Sequence, residues 1–172
     1  MKPRYPYTKR NKFTRMCIGE AITLLMKDKD FDHISISDIT KRSGVSRMTF
    51  YNYYNSKDEA VRDYLKEIID EYIEVEEDDE TAGHYREKEH IVKALNFFDK
   101  HANFFVTFAK RKKIDFIIEA INSFMIKYVY PNRNYSKYEL YYYSGALLNL
   151  FLKWEEEGKE ISAEEVAEII CK

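Results

Sequence analysis

The chain has few of the residues that interrupt helices or build disulfide frameworks. Its 172 residues include only five glycines and three prolines, and two of the prolines, Pro3 and Pro6, lie at the start. Because glycine and proline are the residues that most disfavour helix interiors, their scarcity predicts long uninterrupted helices. The two cysteines, Cys17 and Cys171, lie at opposite ends and predict no disulfide framework.

The chain also lacks the marks of a membrane or secreted protein. No apolar run approaches the roughly 20 residues that a helix needs to cross a bilayer. The basic start, Met1 to Pro6, leads into no apolar signal segment. With 45% hydrophobic and 34% charged residues, the composition suits a packed core and a soluble surface. We therefore expect a cytoplasmic protein that makes no membrane contact.

The charge is distributed unevenly along the chain. Residues 1–57 contain twelve Lys and Arg against five Asp and Glu, a balance of +7, whereas residues 58–172 contain sixteen against twenty-five, a balance of −9. A basic segment beside an acidic one attracts phosphate at one end only. Residues 1–8 read as a basic arm, either lying along DNA or disordered without a role, and the acidic run 74–80 reads as a solvated helix end.

The stretch from Ser35 to Lys57 predicts two short helices joined by a glycine turn. Ser35 with Asp38 forms a capping-box pattern for the first helix, and Gly44 suits a turn with positive φ. Ser46 is a favourable N-cap for a second helix from Arg47 to about Tyr53. Two helices joined in this way describe a helix-turn-helix, whose second helix lies in the DNA major groove.

The second helix carries side chains that suit DNA. Phe50 and Tyr54 are four residues apart and are predicted to face the core. Arg and Asn bind base edges in pairs of hydrogen bonds, and Thr and Met offer methyl contacts to thymine, so the predicted base-reading residues are Arg47, Met48, Thr49 and Asn52. The predicted phosphate-binding residues are Ser46, Tyr51, Tyr53 and Lys57. Ser56 with Glu59 is predicted to form the capping box of a third helix, which begins at Lys57.

This region resembles the DNA-binding domain of the TetR family of bacterial transcriptional regulators. The resemblance covers roughly the first third of the chain and rests on Ile39, Gly44, Val45, Ser46, Thr49, Phe50, Tyr51, Tyr54 and Lys57. Three positions depart from the family pattern without removing a DNA-facing group: Thr40 and Ser43, where alanine is usual, and Ala60, where leucine is usual. The resemblance implies an all-α fold with a three-helix DNA-binding head and a helical-bundle body.

The helical pattern also predicts the division of the chain. The first helix is expected from Thr8 to about Asp28, with an apolar stripe formed by Phe13, Cys17, Ala21, Leu24 and Leu25. The DNA-binding domain is predicted at residues 1–57 and continues into a connecting helix over 57–73. Residues 74–172 are predicted to form the effector-binding and dimerisation domain, with a helix break near residues 101–103 and a turn over 131–134. Ser136 with Glu139 and Ser162 with Glu165 are predicted to cap the last two helices.

The C-terminal region, from Tyr141 through Trp154 to Ser162, is similar to that of a TetR subgroup common in Gram-positive bacteria. In the family, the last two helices of each chain form a four-helix dimer interface. The residues that this resemblance places at the interface are Tyr143, Gly145, Ala146, Leu147, Phe151 and Trp154. The alternative is that Gly145 packs only within its own chain.

Phenylalanines are concentrated in the middle of the chain. The residues that would line an effector pocket, as the family resemblance suggests, are Phe97, Phe98, Phe104, Phe105, Phe108, Phe116 and Phe124. The alternative is that these rings form plain core, which is common for aromatic stripes at helical spacing. The expected ligand is a small hydrophobic or aromatic molecule.

No motif of an enzyme or cofactor site stands out. Neither cysteine has a histidine nearby in sequence, and no glycine-rich phosphate loop occurs. Glu87 and His90 form one Glu-x-x-His step, but di-iron bundles need a second such step and two further glutamates. We therefore expect no enzyme activity, no cofactor and no metal, and keep a helical metal protein as a distant alternative.

The sequence thus predicts a homodimeric transcriptional regulator, most simply a ligand-responsive repressor that binds double-stranded DNA at a pseudo-palindromic operator. The alternative within regulation is a TetR-like regulator controlled by a protein co-activator that binds the acidic body. Two recognition helices on a two-fold axis would lie roughly 34–36 Å apart, about one turn of DNA.

Overall fold

The computed structural model describes residues 9–77, 87–132 and 135–171, and all regular structure in these ranges is helical. The all-α prediction is therefore confirmed. Three predicted segments lie outside the described residues: the basic arm over 1–8, the end of the acidic run with the residues after it at 78–86, and positions 133 and 134 of the predicted turn. The helices are α1 Lys9–Leu25, α2 Ile36–Ser43, α3 Arg47–Tyr53, α4 Lys57–Glu77, α5 Lys88–Lys100, α6 Ala102–Lys110, α7 Asp115–Phe124, α8 Lys137–Glu156 and α9 Ala163–Ile170.

Local sequence determines where α2 and α3 begin and end. Ser35 and Asp38 form the predicted capping box, in which the Ser35 side chain accepts from the Asp38 backbone N–H and the Asp38 carboxylate accepts from the Ser35 N–H. Gly44 ends α2 with a φ of 74°, a left-handed conformation that glycine adopts without steric cost. Ser46 then caps α3 by accepting from the N–H of Thr49 at 2.9 Å. These predictions are confirmed.

The caps of the later helices follow the sequence with one exception. Both predicted capping boxes, Ser136 with Glu139 and Ser162 with Glu165, are present. At the start of α4, Ser56 accepts from the Glu59 N–H at 3.2 Å, but the Glu59 carboxylate accepts from the backbone N–H of Asn55 at 2.8 Å. The predicted box at Ser56 is therefore wrong in its second half, because the glutamate reaches back one residue further.

The apolar side of α1 differs from the predicted stripe. Phe13 is 72% exposed, and the predicted members Cys17, Leu24 and Leu25 are only half-buried. Ala21 enters the core as predicted, together with Ile18, Ile22 and Met26, which were not in the predicted stripe. The prediction was wrong because it began the helical repeat at the large aromatic ring, whereas the buried repeat begins at Arg15, a charged residue that is 9% exposed.

The DNA-binding head and the helical body share one apolar core. In the head, α1 packs against α2 and α4, and in the body α5 packs against α9 while α7 packs against α4 and α8. Buried residues form one cluster that runs from Ile18 and Ile39 in the head through Leu65 of α4 to Phe105 and Phe151 in the body. α4 therefore belongs to both halves and fixes the orientation of one to the other.

The body contains two further features. The predicted break near 101–103 is confirmed, since α5 ends at Lys100 and α6 begins at Ala102. After α7 the chain continues through a π-helical turn, Met125–Val129, which the sequence did not suggest, and a 3-10 turn, Tyr130–Asn132, which overlaps the turn predicted over 131–134. No helix in the described ranges is both long and apolar enough to pass through a bilayer.

Candidate nucleic-acid interface

The recognition helix α3 is anchored by two aromatic rings and presents its other sides outward. Phe50 is fully buried and Tyr54 is 5% exposed, as the spacing predicted. Met48 is 76% exposed and Tyr51 is 45% exposed, and Arg47 also lies on the surface. A short helix with a fixed inner side and free outer side chains is the geometry that reads a major groove.

The other two predicted base-reading residues lie at the edge of this outer surface. Thr49 and Asn52 are both half-buried. The Thr49 hydroxyl lies 2.8 Å from the Ser46 hydroxyl, so the cap is part of the same surface. The Arg47 guanidinium reaches across to the Ser37 hydroxyl at 3.4 Å, which links the first turn of α3 to α2. The four residues share one side of the head, and their contacts with bases stay a prediction.

The predicted phosphate-binding residues separate into two groups. Tyr51 is exposed, and Ser46 lies at the exposed start of α3. Tyr53, by contrast, donates its hydroxyl hydrogen to Asn11 Oδ1 at 3.0 Å, which joins the end of α3 to the first turns of α1. To donate a hydrogen bond to a DNA phosphate, the Tyr53 hydroxyl would have to give up its hydrogen bond to Asn11.

Lys57 holds the head together instead of presenting its charge to solvent. Its ammonium donates to the carbonyl oxygens of Phe31 at 2.5 Å, Ile34 at 2.9 Å and Asp32 at 3.1 Å. An ammonium has three N–H donors, and these three carbonyls occupy all of them. The predicted phosphate contact is therefore not what the geometry supports, because the side chain already closes the loop between α1 and α2.

A buried group of charged side chains that the sequence analysis missed connects α1, α3 and α4. Arg15 donates through Nε to Asp63 Oδ2 at 2.5 Å and through Nη2 to Asp63 Oδ1, and the same Nη2 lies 2.8 Å from Glu67 Oε1. Tyr54 donates to Asp63 Oδ2 at 2.6 Å. Burial raises the pKa of Tyr54, and the neighbouring Asp63 carboxylate raises it further. No local signal marks this group in the sequence, because each of its charged residues alone looks like a surface residue.

Phe31 marks the contact between head and body. Its ring lies 5.7 Å from that of Phe116 and 6.5 Å from that of Phe108, both of which belong to the body. The segment between α6 and α7 also forms ion pairs with the loop that contains Phe31, one on each side of the ring contact. Arg111 donates to Asp30 Oδ1 at 3.2 Å and to the Lys27 carbonyl, and Lys113 donates to both oxygens of Asp32 at 3.1 and 3.2 Å.

The body encloses a cavity of about 600 Å³ between α4, α5, α7 and α8. Four of the seven predicted rings line it, namely Phe97, Phe98, Phe105 and Phe124. The other three do not, because Phe104, Phe108 and Phe116 pack toward the head, against Tyr64 and Phe31. The prediction that all seven rings line one pocket is therefore wrong for these three. The cavity is mainly apolar, and its lining residues with polar side-chain atoms are Tyr72, His90, Tyr142, Tyr143, Ser144 and Asn149.

The predicted dimer residues lie on two different sides of α8. Gly145 and Ala146 are exposed, and Tyr143 and Leu147 are half-buried beside the cavity. Phe151 is fully buried, and Trp154 is 8% exposed with its indole Nε1 donating to the Ile161 carbonyl at 2.8 Å. Those last two positions were wrongly assigned to a surface, since Trp154 holds the turn before α9 and Phe151 packs in the chain's own core.

The Glu87 and His90 step does not form a metal centre in the structure. Glu87 is exposed, whereas His90 is buried with its Nε2 3.5 Å from the Tyr72 hydroxyl. Within residues 9–77, 87–132 and 135–171, no three His, Cys, Asp or Glu side chains come together as metal ligands would. The distant alternative of a metal protein thus gains no positive support.

Residues 18–63 match the family model for bacterial regulatory proteins of the TetR family. This range includes the inner half of α1, both helices of the turn and the first two turns of α4, with the buried Asp63 at its end. The match thus coincides with the part of the chain whose geometry suits DNA.

The names of two relatives agree with this match. An uncharacterized HTH-type transcriptional regulator, YxbF of Bacillus subtilis (strain 168), is 26% identical over 102 residues, covering 55% of this chain and 26% of the relative. The HTH-type dhaKLM operon transcriptional activator DhaS of Lactococcus lactis subsp. lactis (strain IL1403) is 26% identical over 97 residues, covering 56% of this chain and 49% of the relative. The chain therefore spans about half or less of the length of each. Residues 18–63 are thus similar to the DNA-binding domain of TetR-family regulators, and the two relatives that share this similarity are named as HTH-type transcriptional regulators.

Proposed function

We propose that the protein binds double-stranded DNA as a homodimer at a pseudo-palindromic operator. The observation that carries the proposal is the outer surface of α3, where Arg47 and Met48 project from a helix fixed by the Ser46 cap and by buried Phe50. Base edges in the major groove are read by such side chains, and pseudo-palindromic sites mirror a protein two-fold axis. The dimeric state is supported by the uncharged exposed side of α8. The protein would act in the cytoplasm, where its DNA target lies.

We further propose that a small hydrophobic or aromatic effector controls this binding from the body. The support is the aromatic cavity, whose lining includes Leu65, Ile68, Ile69 and Tyr72 of α4, the helix that also carries Lys57 and Asp63 of the head. A ligand that contacts α4 differently in two orientations shifts the equilibrium between them. The resulting change in the separation of the two heads would alter the affinity for DNA by mass action.

Activation is the second candidate for the direction of control. Our expectation from the sequence is a repressor, but the Lactococcus lactis relative is named as an activator of its operon. The sequence analysis also left open control by a protein co-activator rather than a small molecule. Both alternatives share the DNA-binding step with the ligand-responsive repressor.

The DNA-binding step is tested by fluorescence anisotropy with labelled duplexes at increasing salt. Phosphate-driven attachment should weaken steeply, with log K falling linearly against log salt by about 0.9 for each phosphate contact. Selection from fragments of the source genome then yields the operator. Binding that is insensitive to salt, or selection that enriches no sequence with two related half-sites, would refute the proposal.

A further inference from the structure

The exposed side of α8 is a continuous uncharged stripe. Its members recur every three or four residues and so share one side of the helix: Tyr138, Tyr141, Tyr142, Gly145, Ala146 and Asn149. Tyr138 is 84% exposed and Tyr142 is 71% exposed, which is unusual for large aromatic side chains. Lys137 and Lys153 mark the two ends of the stripe, which we call the α8 stripe.

The α8 stripe and the cavity share residues. Tyr142, Ala146 and Asn149 belong to the stripe and also line the cavity, and Ile170 of α9, which is 46% exposed, lines it beside them. A residue that lines the cavity and is also exposed to solvent lies at the opening of the cavity, which we call its mouth. One side of the cavity therefore opens onto the stripe, while the opposite wall, formed by α4 and α7, is closed by core residues such as Leu65 and Ile68.

The stripe suits a second copy of the same chain. In a two-fold interface the same patch faces itself, so a patch with charge of one sign would repel its copy, whereas this one carries no Asp, Glu, Lys or Arg. Gly145 has open space where a Cβ would be, which lets a neighbouring helix approach closely. Ile169 of α9, 62% exposed, adds apolar area from the second helix. Charge and shape both favour self-association.

We propose that the effector cavity is completed by the partner subunit, so that a neutral, largely apolar ligand binds tightly only to the dimer. This inference rests on the proposed homodimer and deepens the proposed effector site. The lining contains no Asp, Glu, Lys or Arg, and a charged ligand would lose its hydration there without a counter-charge. The partner's stripe covers the mouth and removes the exposed end of the ligand from water. By linkage, the ligand then strengthens the dimer to the same extent.

Two substitutions separate the mouth from the interior. Gly145→Glu places like charges on the self-paired stripe, and Gly145 neither lines the cavity nor has a neighbour within 4 Å of the added Cβ. This change is expected to give a folded monomer. Ile69→Trp places a larger ring on the α4 wall, opposite the mouth, and is expected to narrow the cavity without changing dimerisation. Tyr138→Glu, at the 84% exposed end of the stripe and away from the cavity lining, is a second interface variant in case Gly145→Glu disturbs α8.

The experiment measures binding of N-phenyl-1-naphthylamine, a neutral apolar fluorophore, together with the association state by sedimentation velocity. For the wild-type protein, the probe should bind the dimer, and its affinity per chain should rise with protein concentration in step with the dimer fraction. Gly145→Glu and Tyr138→Glu should be monomeric and should bind the probe at least tenfold more weakly. Ile69→Trp should remain dimeric and bind the probe more weakly, because the larger ring narrows the cavity.

Each other outcome has a distinct meaning. Monomeric stripe variants that bind the probe as tightly as the wild type would show a cavity that one chain completes, and would overturn this inference while leaving the homodimer intact. Stripe variants that stay dimeric, or a wild-type dimer that binds no probe, would overturn it as well. A wild-type protein that is monomeric at every concentration and on DNA would instead refute the proposed homodimer.

Discussion

The Lys57 ammonium donates to the Phe31 carbonyl at 2.5 Å and lies 4.7 Å from the centre of the Phe31 ring. One lysine thus binds both the backbone and the aromatic face of the residue at which head and body meet. A cation over a ring that is shielded from water contributes about 0.5–2 kcal/mol beyond the hydrogen bonds. The start of α4 is consequently fixed to the loop before α2, and a movement of α4 is transmitted to the head.

Lys57→Ala should lower the stability of the protein because it leaves three carbonyl oxygens without their charged donor. We expect a loss of about 1–3 kcal/mol in the free energy of unfolding, measured by urea denaturation. Lys41→Ala, at an exposed position of α2, is the matched control and should change stability by less than about 0.5 kcal/mol. If Lys57→Ala left the stability unchanged but made the salt dependence of DNA binding shallower, Lys57 would be a phosphate-binding residue, as the sequence predicted.

Local patterns in the sequence predicted the head well because its determinants are local. A cap depends on residues three apart, as Ser35 and Asp38 show, and the turn depends on a single residue, Gly44, with a positive φ. The inward positions of Phe50 and Tyr54 follow from helical spacing alone. Such features can be read without knowing which helices become neighbours.

Features that depend on distant neighbours were not predicted. Arg15 and Asp63 are 48 positions apart, and each alone looks like a surface charge. Phenylalanines four residues apart, Phe104 and Phe108, were assigned to the cavity because spacing gives the shared side of a helix but not what that side faces. In the same way, the spacing on α8 left open which side of the helix is exposed, and Phe151 and Trp154 were placed on the wrong one.

Asp63→Asn should be strongly destabilising because it removes the carboxylate that both Arg15 and Tyr54 use. The Arg15 side chain is only 10% exposed, so the guanidinium would stay largely buried with Glu67 in place of two charged partners, at a cost of about 3 kcal/mol. Glu119→Gln is the matched control, since its pair with Arg62 is more than half exposed and should contribute at most about 1 kcal/mol. If urea denaturation showed the same loss in the free energy of unfolding for both variants, the buried group would contribute no more to stability than an exposed ion pair.

Arg47→Ala and Asn52→Ala should relax the choice of base at one or two operator positions. Each bidentate contact to a base edge is worth about 1–3 kcal/mol of discrimination. The measurement is competitive binding to operator variants after the operator has been selected. Lys110→Ala, exposed in the body, is the control and should leave both affinity and preference unchanged. If each recognition-helix variant weakens all sequences by the same factor, the two residues bind phosphate and not bases.

The cap of α2 should weaken in acid. The hydrogen bonds from the Ser35 N–H and hydroxyl, and then the contact with Lys29, lower the pKa of Asp38 from 3.8 to about 2. A carboxyl group with a lowered pKa in the folded state stabilises that state above its unfolded pKa, and this contribution is lost as the pH falls through the folded value. The stability difference between wild type and Asp38→Asn should therefore be constant above about pH 5, shrink as the pH falls from there, and level off only below about pH 2. Carboxyl NMR titration gives the pKa directly, and an ordinary value near 3.8 would contradict this argument.

The charged contacts beside Phe31 should affect regulation more than stability. Asp30 and Asp32 are 67% and 75% exposed at their side chains, so removing their pairs with Arg111 and Lys113 should cost less than about 1 kcal/mol for each. The double variant Asp30→Asn/Asp32→Asn nevertheless removes both ion pairs between the head loop and the segment that follows α6, the helix whose Phe105 lines the cavity, and leaves the contact of Arg111 with the Lys27 carbonyl. We expect DNA affinity without a ligand to change little, and the effect of saturating N-phenyl-1-naphthylamine on that affinity to fall severalfold, because the ligand no longer biases the head through this contact. Asp28→Asn, in the same exposed loop, should retain the full response, and a double variant that also retains it would show that α4 alone carries the signal.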